Sequence, residues 1–283
     1  MAFKLIGKPQ WAELRDLYAN DRTNLTGFDL IEYFINYIPL SRSESIAIYT
    51  TDENWATHGS YVLNHYLDDK VYIYLDTIKG SLEDLGNLLC SLKLNVFHLI
   101  CGYGDRLKPL VEAYWLSVGQ DLTSLEHQAA IVYHLPSTKI PSWKPSLSDT
   151  CKVAYLTPNH ADLVDRHWAY RSADSLSLIR GFMENNLTAG VFSTQGQPLA
   201  WCLRSPHGSL SNLHVLSSHR RKGLGSLAVR FMAHEIKSTG SEVLATVVPG
   251  NEGSRRMFEK LGFTPINKLY WAVIPCFSRL NTK

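Results

Sequence analysis

Residues 213–232 read LHVLSSHRRKGLGSLAVRFM. The start, Leu213-His214-Val215-Leu216, alternates as a strand does, and the end, from Leu227 to Met232, has the apolar spacing of a helix. Two glycines, Gly223 and Gly225, therefore stand at a strand-to-helix junction, directly behind the basic run Arg220-Arg221-Lys222. A helix beginning at Gly225 leaves its first N–H groups unpaired at the positive end of its dipole. Residues without side chains let an anion come close to those groups, and the basic run adds mobile charge, so the stretch reads as a diphosphate cradle.

Spacing separates the classes of phosphate loop. The GxxxxGK[ST] pattern of a nucleoside triphosphate loop is absent. A dinucleotide fingerprint would take Gly223 and Gly225 with Ala228 in its third place. The strands upstream, however, are joined by the short turns QGQP and PHG, which make antiparallel neighbours rather than a parallel βαβ unit. The pyrophosphate of coenzyme A is the remaining class. A solvated basic turn before an ordinary helix would carry the same residues, and a second signature decides between the two readings.

At 283 residues the chain has room for two domains. Its 45% hydrophobic and 19% charged residues suit an ordinary core, and a net charge of +2 is too small to argue for nucleic acid as the main partner. Five cysteines at wide spacing, with no CxxC pair, read as free thiols in a reducing compartment rather than a disulfide framework or a metal site. No apolar run reaches the length of a membrane span, and the start MAFKLIGKPQWAELRD lacks the apolar core of a secretory signal. A cytoplasmic protein without membrane or metal partners is the expectation.

The proline-bearing stretch 136–150, PSTKIPSWKPSLSDT, reads as a linker. Before it, helical patterns over 9–19, 28–37, 81–93 and 106–117 mix with strand patterns over 45–50, 71–76, 96–101 and 128–134, an α+β arrangement with a mixed or antiparallel sheet. After it come a strand (152–156), helices (159–168 and 174–185) and three strands (188–194, 199–204 and 209–216). The chain continues with a helix (225–238), a strand (243–248), a helix (251–261) and a strand (268–274). The similar order of elements in the two halves hints at a duplicated fold.

The second signature is NEGSRRMFEKLGF, residues 251–263. With it, the chain resembles the GNAT acyltransferase superfamily. Arg220-x-x-Gly223-x-Gly225 matches its R/Q-x-x-G-x-G/A loop, and Asn251, Ser254, Lys260, Gly262 and Phe263 match N-x-x-A/S-x-x-x-Y-x-K-x-G-F. Phe258 stands where that motif has tyrosine. More narrowly, YLTPNHADLVDRHWAYRSADSLSLIRGFMENN and QGQPLAWCLRSPHG resemble the C-terminal domain of the glycine N-acyltransferase family, over 151–275 well and over 1–135 only in outline. The resemblance implies two tandem GNAT-like domains with mixed, mostly antiparallel sheets: a degenerate one at 1–135, the linker 136–150, and an acyl-CoA-binding catalytic domain at 151–283. Relatives of that family also make a mitochondrial location an expectation.

What the resemblance implies for chemistry is transfer of an acyl group from acyl-CoA, acetyl or longer, to a small amine such as glycine or another amino acid. Backbone around Val215 would hold the pantetheine arm, the N–H groups from Lys222 through Gly223, Leu224 and Gly225 to Ser226 the pyrophosphate, and the N–H near Leu216 the oxyanion. Asn251 would bridge the arm or cap its own helix. The family's glutamate base falls at Ser218, and a hydroxyl cannot replace a carboxylate as a base. His214 and His219 are the nearest groups that titrate near neutrality. Of the two, His214 is favoured as base or water-orienting group, but the stronger expectation is that His214 is a packed strand residue and His219 a solvent-facing turn residue. Trp168, Tyr170 and Phe182 read as core residues or as an acceptor pocket. Ser218 and Phe258 also motivate the competing expectation of a non-catalytic acyl-CoA-binding or regulatory protein, and acetylation of protein amines is a third.

Overall fold

The computed structural model describes residues 3–19, 25–41, 44–92, 94, 96–140, 151–172 and 175–274. In chain order the first half contains β1 (Lys4–Ile6), α1 (Trp11–Tyr18), α2 (Leu25–Ile35), β2 (Ser45–Thr50), α3 (Trp55–His58), β3 (Tyr61–Leu67) and β4 (Lys70–Asp76). It continues with α4 (Leu82–Ser91), β5 (His98–Gly104), α5 (Lys108–Ser117) and β6 (Gln128–Leu135). The second half has β7 (Cys151–Ala154), α6 (Ala161–Arg166), α7 (Ser175–Asn185), β8 (Thr188–Ser193), β9 (Pro198–Arg204) and β10 (Ser209–Val215). It ends with α8 (Leu224–Ser238), β11 (Val243–Val247), α9 (Glu252–Lys260) and β12 (Thr264–Ile274).

The chain divides into two compact units. The first comprises Met1–Ile35, Pro39–Ala130 and Lys268–Lys283, the second Asn36–Ile38 and Ile131–Asn267. Of the expected linker 136–150, residues 141–150 lie outside the described residues. In the first unit the strand order is β1-β2-β3-β4-β5-β12, with β4 and β5 parallel and the other pairs antiparallel. The second unit has β7-β8-β9-β10-β11-β6, with β10 and β11 parallel and the rest antiparallel. The order of elements that the sequence repeats in outline is thus repeated in strand pairing.

Strand alternation explains the layers of the second unit. Ala200 and Cys202 turn to one face of the sheet, where Ala228, Val229, Met232 and Ile236 of α8 and Phe258 of α9 pack. Trp201 and Leu203 turn to the other face and meet Val164 of α6 and Ile179 and Phe182 of α7. Phe182 is therefore core, whereas Tyr170 is exposed and Trp168 follows α6 and packs at the edge of that cluster. The turns expected at QGQP and PHG carry Gly196 and Gly208 at φ +82° and +75°, backbone that glycine adopts without cost.

In the first unit α4 and α5 cover the sheet through Leu85, Leu89, Val111 and Tyr114, packed on Val62 and Ile73. Trp11, Tyr18 and Tyr33 are buried, as expected for helix-packing residues. Of its elements β1, α3 and β3 are not foreseen in the sequence. Because Leu63 of β3 is fully buried, Leu63→Ala should destabilise this unit by about 2–5 kcal/mol, measured as a lowered urea midpoint; an unchanged midpoint contradicts the burial of β3.

Candidate active site

The site starts from a loss of pairing. β10 bonds to β11 at Ser209↔Leu244 and Leu210↔Ala245 and no further, while its other edge stays paired with β9 as far as Val215↔Ala200. The β9 register is irregular between Ser211 and His214, and there Asn212 takes a left-handed φ of +49°. Beyond it the Leu216 N–H donates to the Leu199 carbonyl at 2.9 Å. Alternation then turns the backbone groups of Leu213 and Val215 away from β9 and into the gap. The oxyanion donor expected at Leu216 is thus spent inside the sheet, and the gap-facing N–H groups are those of Leu213 and Val215.

From Val215 the chain makes a single tight turn, Ser217–His219, whose His219 N–H donates to the Leu216 carbonyl at 2.8 Å. Arg221 (φ +63°) and Gly223 (φ +82°) both take left-handed backbone, and Gly223 is the N-cap of α8, which begins at Leu224 rather than Gly225. Gly225 is buried, and a Cβ there would stand 3.3 Å from Val215 Cγ2 and 3.5 Å from Met257 Sδ. Its missing side chain lets the helix close on the strand, a packing role instead of the open anion approach expected of it. Gly223 does face open space.

The residues fit a diphosphate. The first turn of α8, with Leu224, Gly225 and Ser226, leaves N–H groups without helical partners and carries no acidic residue. Arg220, Arg221 and Lys222 are exposed beside it, and Arg220 Nε donates to the Val215 carbonyl at 3.2 Å. Ser218 is exposed, with its hydroxyl 2.9 Å from His219 Nδ1.

His214 projects from β10 onto the face of α6 and α7. Its ring stacks on buried Trp201, with centroids 4.9 Å apart and planes at 22°. The ring of His167, at the C-terminal end of α6, lies 4.8 Å away. Burial, then His167, then Arg220 hold the His214 pKa below its ordinary 6.5, so at neutral pH the ring has a lone pair to offer. His167 went unforeseen because its partner in space is far along the chain. Cys202 is buried in the sheet, and burial pushes its thiol up to about 12, away from the reactive thiolate form.

Downstream of β11, the Asn251 side chain accepts from the Ser254 N–H at 3.1 Å and so caps α9. Phe258 is buried, between Phe263 at 5.0 Å and a stacked Tyr133 at 6.3 Å. The Tyr133 hydroxyl donates to Glu259 Oε1 at 3.1 Å. No group of His, Cys, Asp or Glu that could hold a metal occurs among the described residues, and none of their helices is long and apolar enough to cross a membrane.

The corresponding junction of the first unit differs in its loop. β4 pairs with β5 from Val71↔His98 to Ile73↔Ile100, and the chain leaves β4 for α4 through Thr77–Ser81. The Ile78 and Lys79 N–H groups both donate to the His58 carbonyl at 3.0 Å, and Gly80 N–H donates to Thr77 Oγ1 at 2.8 Å. Ser81 caps Asp84 N–H at 3.2 Å, and Glu83 and Asp84 occupy the first turn. A Cβ on Gly80 would lie 2.1 Å from Ser60 Oγ. The N–H groups of Ile78, Lys79, Gly80 and Asp84 are thus taken within the unit, and the acidic first turn disfavours an anion.

A proton NMR titration of the His214 ring should give a midpoint below 6.5, and Arg220→Gln, which removes one cause of the depression, should move it upward. A midpoint at or above 6.5 in the parent would contradict this electrostatic account.

Residues 188–272 match the family model described as FR47-like protein. A curated relative, the uncharacterized N-acetyltransferase YobR of Bacillus subtilis, is 31% identical over 68 residues, which are 24% of this chain and 28% of the relative. The match thus spans little more than a quarter of that relative's length. Among solved structures, a Drosophila protein superposes with a TM-score of 0.82 at 20% identity, covering 97% of this chain and 99% of that one. A tandem GNAT protein from the clavulanic acid biosynthesis pathway gives 0.58 at 11% identity, covering 98% of each chain. The chain thus shares the fold of these GNAT structures, and its residues 188–272 match the FR47-like model.

Proposed function

We propose that the protein is an acyl-CoA-dependent N-acyltransferase that acylates a small amine, such as glycine or another amino acid, by direct attack on the thioester. The observation that carries this reading is the continuity of gap and cradle. One strand edge, unpaired with β11 at Leu213 and Val215, runs straight into the helix capped by Gly223. The diphosphate of acyl-CoA would lie on the N–H groups of Leu224, Gly225 and Ser226 with Arg220, Arg221 and Lys222 around it, and the pantetheine arm would pair along Val215. The FR47-like match over 188–272 contains this strand, turn and helix, and the curated relative is named an uncharacterized N-acetyltransferase.

In this reading the amine nitrogen attacks the thioester carbon, the C–S bond breaks, and CoA leaves as thiolate. The proton lost by the amine goes to His214, directly or through a water, because an ammonium with a pKa near 10.4 is no nucleophile. The depressed pKa of His214 keeps it unprotonated at pH 7. The positive surroundings, Arg220 among them, suit an acceptor that bears a carboxylate. Phe258 offers no proton to the leaving thiolate, whose intrinsic pKa of about 8.5 makes it a tolerable leaving group.

The same absence of a hydroxyl at Phe258, with Ser218 exposed and bound to His219, favours the second reading, a non-catalytic acyl-CoA-binding protein. The N-terminal unit is read as degenerate, because the donors of its own strand-to-helix junction are consumed by His58, Thr77 and Ser81.

The deciding assay is CoA thiol release by the purified protein from acetyl-, benzoyl- and longer acyl-CoA, with and without glycine and a panel of amino acids and amines. Acceptor-dependent release is expected, with kcat/KM rising with pH through a pKa below 6.5 and flat above it. His214→Gln should lower kcat by roughly a hundredfold or more. Gly223→Val, forced to φ +82°, should raise KM for acyl-CoA with little change in kcat. Binding of CoA without release under any acceptor would favour the non-catalytic reading.

A further inference from the structure

Just past the point where β10 parts from β11, two side chains carry buried polar atoms without a partner among the described residues. Ser211 Oγ and Asn212 Nδ2 are both shielded from solvent, and neither has a hydrogen-bond partner among the described residues. They follow immediately on Leu210, the last β10 residue bonded to β11. Asn212 is also held at φ +49°, one of three described non-glycine residues with positive φ. Left-handed backbone and orphaned buried donors are each costly, and their coincidence at the end of the β10–β11 pairing calls for a ligand to satisfy them.

The position within the gap says which part of a ligand reaches them. β10 and β11 are parallel, so the gap opens toward their C-terminal ends and closes at Leu210↔Ala245. Gly223 and the first turn of α8 lie beyond the open end, past Val215. A thioester lying in the gap with its diphosphate on that turn has its acyl tail directed toward the closed end, against Ser211 and Asn212. This step rests on the acyl-CoA reading given above.

We infer that Ser211 and Asn212 select the acyl group, favouring an acyl chain that carries an oxygen acceptor near its far end over an aliphatic chain of equal length. Such an oxygen accepts from the Asn212 amide and the Ser211 hydroxyl. An aliphatic tail buries both donors with nothing to bond, which forfeits affinity. A carboxylate and a hydroxyl at that end share this chemistry.

The test is calorimetric titration of the intact protein with CoA, butyryl-CoA, β-hydroxybutyryl-CoA and succinyl-CoA, whose acyl chains have equal numbers of carbons. The parent should bind at least one oxygen-bearing thioester roughly tenfold or more tightly than butyryl-CoA, and the succinyl and hydroxybutyryl arms separate carboxylate from hydroxyl recognition. Asn212→Gly keeps the left-handed backbone without strain while removing the amide, and Ser211→Ala removes the hydroxyl. Each should shrink the preference ratio toward one, a readout that general destabilisation does not move. Butyryl-CoA binding as tightly as both others in the parent, or a ratio unmoved by both substitutions, overturns the inference while leaving the acyl-CoA reading intact. Failure of every thioester and of CoA itself to bind overturns both.

Discussion

After Leu210, β10 keeps one neighbour and loses the other, and the candidate site follows from that single break. A strand paired on both edges has no backbone to offer a ligand. Here β9 holds the strand in place through Val215 while the edge facing β11 is left free, so rigidity and availability coexist in the same residues. The break is sharpened by the irregularity at Asn212, which re-aims the chain and sets His214 against Trp201 and His167. The same strand then feeds the turn that ends in the Gly223 cap. The sites proposed for arm, base and anion are consecutive stretches of one strand–turn–helix segment.

Electrostatics and packing divide the work within that unit. Arg220 serves both, since its guanidinium bonds the Val215 carbonyl and its charge helps keep His214 neutral. Gly223 and Gly225, adjacent in the motif, act differently. Gly223 is required by backbone conformation, and Gly225 by the 3.3 Å approach of Val215. The first unit repeats the strand order but fills its junction with its own hydrogen bonds, so the shared topology supplies a scaffold and the local donors decide what it can hold.

Much of the second unit was legible because its elements announce themselves locally. Gly196 and Gly208 mark hairpins, the basic run before Gly223 marks a helix start, and Asn251 to Phe263 carries a cap and a terminator at fixed offsets. What escaped depends on distance along the chain. β3, YVLNHYL, is buried on both faces and so lacks alternation, and Asn64 and His65 within it disguise a core strand. His167 belongs to the site only because α6 brings it over β10. The donor expected at Leu216 failed on parity: a one-residue choice decides which edge a strand N–H faces, and the bulge at Asn212 shifts that count in a way that composition cannot reveal.

The account stands or falls on where a thioester lies. A crystal structure of the protein with an acyl-CoA is the most direct measurement. The account predicts the diphosphate on the N–H groups of Leu224, Gly225 and Ser226, the arm paired with Val215, and the thioester beside His214. A diphosphate bound away from the Gly223 cap, or a Val215 edge left untouched by the arm, would contradict it.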